Sequence, residues 1–124
     1  MNRSTRSRAG GRSDERGMVT AELGLASLLL AVALVVVVWV VSVLALLARC
    51  QQAAWEVARQ EARGDRVAAQ RARAEAPAGA GIGVSRRSGQ VWVVVELAAQ
   101  PWTDWLPAVP LSARAVASLE PGAS

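Results

Sequence analysis

The sequence contains no histidine, no lysine, no phenylalanine and no tyrosine, and its only cysteine is Cys50. Without histidine or lysine, the usual general bases and Ser–Lys dyads are missing, which argues against an enzyme. A lone cysteine can form neither an intrachain disulfide nor a cysteine-rich metal cluster. No glycine-rich phosphate loop follows a strand-like segment. We therefore expect no catalytic residue, no metal, no cofactor and no small-molecule substrate.

The basic charge is concentrated at one end of the chain. All fourteen basic residues are arginine, and five of them lie in residues 1–17 together with two of the ten acidic residues. The remaining chain therefore carries nine arginines against eight acids, a net charge of +1. Nucleic-acid recognition needs a basic face on the working domain. We expect no nucleic-acid partner.

A long apolar run is the main feature that is present. Residues 23–48, 26 in all, include no charged residue. About 20 apolar residues suffice for a helix to cross a bilayer, whereas the apolar core of a cleaved secretory signal has only about 7–15. A chain of 124 residues is also too short to bury such a helix inside a globule. The run predicts a retained membrane-spanning helix.

The stretch RGMVTAE at the start of this run resembles the type IV prepilin signal. In that signal a peptidase cuts after a glycine, and glutamate is the fifth residue of the new chain; here these are Gly17, Met18 and Glu22. An ionised side chain inside the bilayer costs about 2.5–3.5 kcal/mol, so Glu22 needs a function. The resemblance implies cleavage of an extended Gly17–Met18 bond by a prepilin peptidase. It also implies that Glu22 pairs with the freed α-amine of Met18 on a neighbouring subunit.

The distribution of arginines around the apolar run also predicts the orientation of the helix in the membrane. Five arginines precede Met18, and four lie in a comparable window beyond the run. The positive-inside rule favours a cytoplasmic N-terminus by that margin, and a peptidase acting at the cytoplasmic face requires the same orientation. We expect a single-pass protein of the cytoplasmic membrane, with residues 49–124 on the extracytoplasmic side. If it assembles, we expect it to reach the cell surface or a pilus.

Beyond the membrane run, the pattern continues as helix to Gly64, where glycine ends it and Asp65 caps a short second helix through about Glu75. Glu61 falls on the apolar side of the first helix, without an evident reason. Alternating apolar residues then predict three strands, at 81–85, 90–98 and 111–120. The expected fold is α+β: a long N-terminal helix, transmembrane in its first half, with a small antiparallel sheet of about three strands on its outer half.

Four segments resemble the TadE-like minor pilins of tight-adherence (Tad, Flp) pili, in the short form found in actinobacteria. They are RGMVTAE, ARCQQAAWEVAR, PAGAGIGVSRRSGQVWVVVELA and ARAVASLEP. The resemblance implies a cleaved basic leader (1–17), a transmembrane half-helix (18–48) and an extracytoplasmic α+β domain (49–124). It implies a minor pilin or pseudopilin of a Tad-type pilus or type II-like secretion machine, with other pilin subunits as partners. The alternative is an uncleaved single-pass anchor or scaffold of a secretion assembly.

Overall fold

A computed structural model of the chain describes residues 11–99 and 108–122. Trp102 and Trp105, for which the sequence favours packing within their own domain, lie outside the described residues. The predicted α+β class, a long N-terminal helix with a three-stranded antiparallel sheet, is confirmed. In chain order the elements are α1 (Gly11–Arg63), α2 (Arg66–Ala74), β1 (Gly81–Arg87), β2 (Gln90–Ala99) and β3 (Val109–Ser118).

The chain divides into two compact units, Met1–Val40 and Val41–Ser124. The described part of the first unit is helical, and its side chains are exposed except for the half-buried Trp39. Leu, Val and Ala dominate its surface, and no residue of its most apolar stretch is buried. Among the described residues, α1 is the one helix long and apolar enough to cross a membrane.

The junction between α1 and α2 follows the predicted stop-and-cap pattern. Gly64 adopts φ +75°, a left-handed conformation that costs glycine little. The N–H groups of Gly64 and Asp65 donate to the carbonyls of Glu61 and Gln60, each at 3.1 Å. The Asp65 carboxylate in turn accepts from the Ala68 N–H at 2.9 Å and caps α2. This pairing satisfies backbone groups that a helix end leaves without partners.

The sheet has the strand order β1-β2-β3, and both pairs are antiparallel. The connection between β1 and β2 is tighter than the four-residue link that the sequence predicts. Ser88 and Gly89 have φ of +51° and +74°, and they form a two-residue turn. Positive φ at both positions matches the twist of the flanking strands. The strands therefore stay paired as far as Arg87 and Gln90.

The third strand is displaced from its predicted bounds. It begins at Val109 and ends at Ser118, whereas the sequence pattern gives 111–120. The earlier start brings Pro110 into the strand. Proline lacks a backbone N–H, and for that reason it argues against a central strand. β3 is an edge strand, where a proline costs no ladder hydrogen bond on its open side.

The core of the second unit lies between α1 and the inner face of the sheet. The alternation predicted for β2 is confirmed, because Val91, Val93 and Val95 are all fully buried. Alanines on the facing side of α1 let the sheet approach the helix closely. The cluster consists of Cys50, Ala54, Val57, Ala58, Ala62, Ala72, Val91, Val93, Val95, Ala113 and Ala115.

Hydrogen bonds join α1 to β3 and to the residues that follow β3. The Gln51 side-chain amide donates to the Arg114 carbonyl at 2.9 Å. Farther along, the Glu120 N–H donates to the Ala62 carbonyl at 3.0 Å. Residue numbers increase in the same direction along both elements, so β3 runs alongside the C-terminal part of α1 and in the same chain direction.

Candidate functional site

The residues of the expected processing site lie together on the first turns of α1. Met18 and Glu22 are four positions apart, which puts them on one helical face about 6 Å apart along the axis. Met18 is 74% exposed, and the Glu22 side chain is also exposed. Glu22 makes no hydrogen bond or ion pair with any residue that the structure describes. No described residue therefore neutralises its carboxylate.

No contact with a described residue requires glycine at position 17. A Cβ built on it meets no atom within 4 Å, and its φ is not in the left-handed region. Glycine in an exposed helix is less stable than alanine by roughly 0.5–1 kcal/mol. Neither packing nor backbone conformation in the described part of the chain therefore requires glycine at this position. Gly24 is equally unconstrained, but it lies in the apolar run, where glycine is common.

The conformation at Gly17 differs from the expected one. The resemblance to the prepilin signal implies an extended Gly17–Met18 bond, whereas Gly17 lies inside α1, six residues after its start. Local bonds favour the helix here, including one from the Thr20 hydroxyl to the Arg16 carbonyl at 2.9 Å. A peptidase that binds an extended segment would have to unwind this turn, and glycine lowers the cost of doing so.

Cys50 is a packing residue. It is completely buried in the core between α1 and the sheet, just past the apolar run. Burial raises the pKa of the Cys50 thiol, and the nearby Arg49 opposes this only partly. A thiol held protonated and away from solvent is a poor nucleophile and a poor metal ligand. No group of three or more His, Cys, Asp or Glu residues suited to a metal occurs in the described part of the chain.

Glu61, which the helical pattern left unexplained, links three elements. Its side chain is 12% exposed, and its two oxygens accept from Arg73 of α2 at 2.7 Å and from Arg86 of β1 at 2.9 Å. The side of α1 that faces α2 and β1 thus accommodates a carboxylate, because both neighbours supply a guanidinium. The sequence could not reveal this, since Arg73 and Arg86 are 12 and 25 positions away.

We expect Glu61→Ala to lower the free energy of unfolding by ~1–2 kcal/mol, because it removes two charge-assisted hydrogen bonds and leaves two arginines facing each other. Glu120→Ala is the matched control. Its bond to Arg63 is 3.5 Å long and both side chains are more than half exposed, so its loss should change stability by ~0.5 kcal/mol or less. Urea unfolding of the detergent-solubilised chain measures both values. Equal effects would contradict a structural role for the Glu61 pairs.

The outward face of the sheet carries a second exposed group. Trp92 is 42% exposed and is flanked on the neighbouring strands by Arg87 and Arg114, which lie diagonally across from it. These side chains line a shallow groove together with Ser85 and Gln90. The alternation that buries Val91 and Val93 also places Trp92 outside, so this exposure follows from the sequence pattern.

Comparisons with known proteins add no family to this description. No protein-family model, no curated protein and no solved structure matches the chain. The functional argument therefore depends on the residues described above.

Proposed function

We propose that this protein is a minor pilin or pseudopilin of a Tad-type pilus or a related secretion machine, resembling the TadE-like subunits. In this proposal a prepilin peptidase removes residues 1–17, and the shortened α1 packs against the helices of other subunits in the membrane. The domain formed by the C-terminal part of α1, α2 and the sheet lies outside the cytoplasmic membrane. The protein acts by assembly and not by catalysis.

One observation carries the proposal. Gly17, Met18 and Glu22 occur at the start of an unburied apolar helix, and nothing within the described chain explains either the glycine or the carboxylate. A cut after Gly17 gives both residues a function, because it creates a cation at Met18 one helical turn from Glu22. The exposed apolar surface of α1 supports lateral contacts with lipid or with similar helices.

Cleavage also changes the local hydrogen bonding. The Thr20 hydroxyl donates to the Arg16 carbonyl in the intact chain, and removal of the leader takes that acceptor away. Met18, Val19, Thr20 and Ala21 then form a new first turn, whose free N–H groups create a partial positive charge. Glu22 of a neighbouring subunit would face both this charge and the Met18 amine, which makes the pairing more favourable than with the amine alone.

We expect the mature protein to begin at Met18. Intact-mass measurement of protein extracted from membranes of the native host should give the mass of residues 18–124, with or without an N-terminal modification. The same gene expressed in a host without a prepilin peptidase should give the uncleaved chain. A retained leader in the native host, with the peptidase active, would support the alternative of an uncleaved single-pass anchor.

A further inference from the structure

The outward face of the sheet carries an exposed tryptophan between two arginines. Arg87 and Arg114 lie diagonally on either side of Trp92, and neither guanidinium makes an ion pair or hydrogen bond with any residue that the structure describes. We call the shallow groove that they line with Ser85 and Gln90 the sheet groove. No described carboxylate lines it. Trp and Arg dominate the binding energy of protein interfaces, and two unpaired guanidiniums favour a partner with carboxylates.

A second groove, between α1 and α2, has the opposite charge. This helix groove is lined by Arg49, Gln52, Ala53, Glu56, Ala72 and Glu75, two carboxylates against one guanidinium, a net charge of −1. Glu75 caps the C-terminal end of α2, which adds the partial negative charge of a helix end. Glu75 has no ion pair with a described residue, and Glu56 accepts only from the neutral Gln60 amide, at 2.6 Å. The two alanines offer methyl groups on which a flat ring can lie.

The two grooves face away from each other. In an α-helix successive residues are about 100° apart around the axis, so the α1 residues of the core cluster and those of the helix groove point about 150° apart. The sheet covers the core side of α1, and the sheet groove lies on the far face of the sheet. The grooves are thus on nearly opposite sides of one compact unit, Val41–Ser124.

The two grooves also lie at the same level along α1. The bond from the Gln51 amide to the Arg114 carbonyl puts Arg114 beside Gln51. Trp92 pairs with Val116, two strand residues farther on, or about 7 Å. This rise equals about 4–5 helical residues, which puts Trp92 level with the C-terminal part of residues 49–56, the range of α1 that lines the helix groove. A copy moved sideways, without being turned, would bring its sheet groove against the helix groove of its neighbour.

We propose that the sheet groove of one copy of this chain binds the helix groove of a second copy. Arg87 and Arg114 meet the carboxylates of Glu56 and Glu75, and the Trp92 ring lies on the alanine methyl groups. The contact joins two different surfaces, so each bound pair still has one free groove of each kind, and further copies extend it into a row. Every copy keeps the same orientation, as copies inserted in one membrane must. The inference requires neither leader cleavage nor Glu22, and it does not depend on the pilin proposal.

Site-specific cross-linking of the full chain in detergent tests this contact. Cys50 is replaced by alanine, and a short bis-maleimide joins cysteines introduced as Ser85→Cys in the sheet groove and Gln52→Cys in the helix groove. Both positions are exposed. We expect the chain with both cysteines to give dimers and a ladder of larger products. A chain with only one of the two cysteines should stay monomeric, whereas a mixture of the two single-cysteine chains should give dimers and nothing larger.

Charge reversal in the two-cysteine chain distinguishes the proposed pairs from general adhesion of apolar helices. Arg87→Glu with Arg114→Glu, or Glu56→Arg with Glu75→Arg, should each lower the yield of cross-linked product about tenfold or more, because attraction becomes repulsion. A mixture of the two reversed chains should recover the product, since each offers the charge that the other lacks. Arg59→Glu, exposed on α1 and outside both grooves, should leave the yield unchanged.

The outcomes separate a contact between unlike grooves from its alternatives. Dimers from a chain with one cysteine would mean that like surfaces meet, and this would overturn the inference. So would a mixture of single-cysteine chains that gives no dimer, or reversed chains that keep their circular dichroism spectrum but do not recover the product when mixed. If polyglutamate protected the Ser85→Cys thiol from maleimide while copies failed to cross-link, the sheet groove would bind an acidic peptide and not a second copy. A retained leader would contradict the pilin proposal and leave the expected ladder unchanged.

Discussion

Glu22→Ala is expected to enter the membrane and to lose its leader normally, but not to assemble with other pilin subunits. Insertion should survive because the substitution removes a carboxylate whose burial costs about 2.5–3.5 kcal/mol. Cleavage should survive because Gly17 and Met18 are unchanged. Assembly should fail because the Met18 amine of each subunit would be left without a counter-charge among packed helices, where an unpaired charge is strongly destabilising.

Three readouts separate these steps: membrane fractionation, intact mass, and co-purification with the other subunits from the native host. Glu22→Gln preserves size but not charge and should fail as the alanine variant does. Glu22→Asp keeps the charge on a side chain one methylene shorter and should recover part of the assembly. Normal assembly of the alanine and glutamine variants would mean that Glu22 simply extends to the membrane surface, and the pairing mechanism would be wrong.

Gly17→Leu is expected to block processing and leave the full-length chain in the membrane. Leucine adds a side chain next to the bond to be cut and also strengthens the helix, by about 0.6–1 kcal/mol relative to glycine. Both effects hinder a peptidase that needs a narrow, unwound segment. Gly17→Ala adds one methyl group and a similar gain in helix propensity, so its cleavage rate shows how much of the block comes from helix stability alone.

Gly24→Leu is the matched control for this variant. Gly17 and Gly24 both lie in α1, and a Cβ at either position meets no atom within 4 Å. Neither substitution should disturb the fold, and only the one at position 17 should stop cleavage. The measurement is the ratio of precursor to mature mass in membranes of the native host. If both variants were processed like the parent chain, cleavage after Gly17 would be excluded.

Local chemistry made much of the fold predictable. The end of α1 at Gly64, the cap at Asp65 and the buried alternation in β2 each depend on residues within a few positions of one another, and each is confirmed. The start of β3 was harder to predict. Proline is acceptable in an edge strand, but the sequence alone does not tell which strand lies at an edge.

The functional residues differ in the same way: those close in sequence could be predicted, and those far apart could not. Gly17, Met18 and Glu22 are close in sequence, and the resemblance of the seven-residue stretch RGMVTAE to the prepilin signal was enough to select them. The cluster of Glu61, Arg73 and Arg86 could not be found in this way, because a charge on an apolar helical face has meaning only once the neighbours are known.

The strand order has a consequence for synthesis of the protein. β2 is the central strand, and all ten of its residues pair with β3, which leaves the ribosome after the other two strands. Until β3 arrives, one edge of β2 stays open, and the core lacks Leu111, Ala113 and Ala115. An open, valine-rich strand edge is a template for aggregation. The nascent domain therefore passes through a period in which a chaperone can hold it or a protease can destroy it, and closure by β3 ends that period.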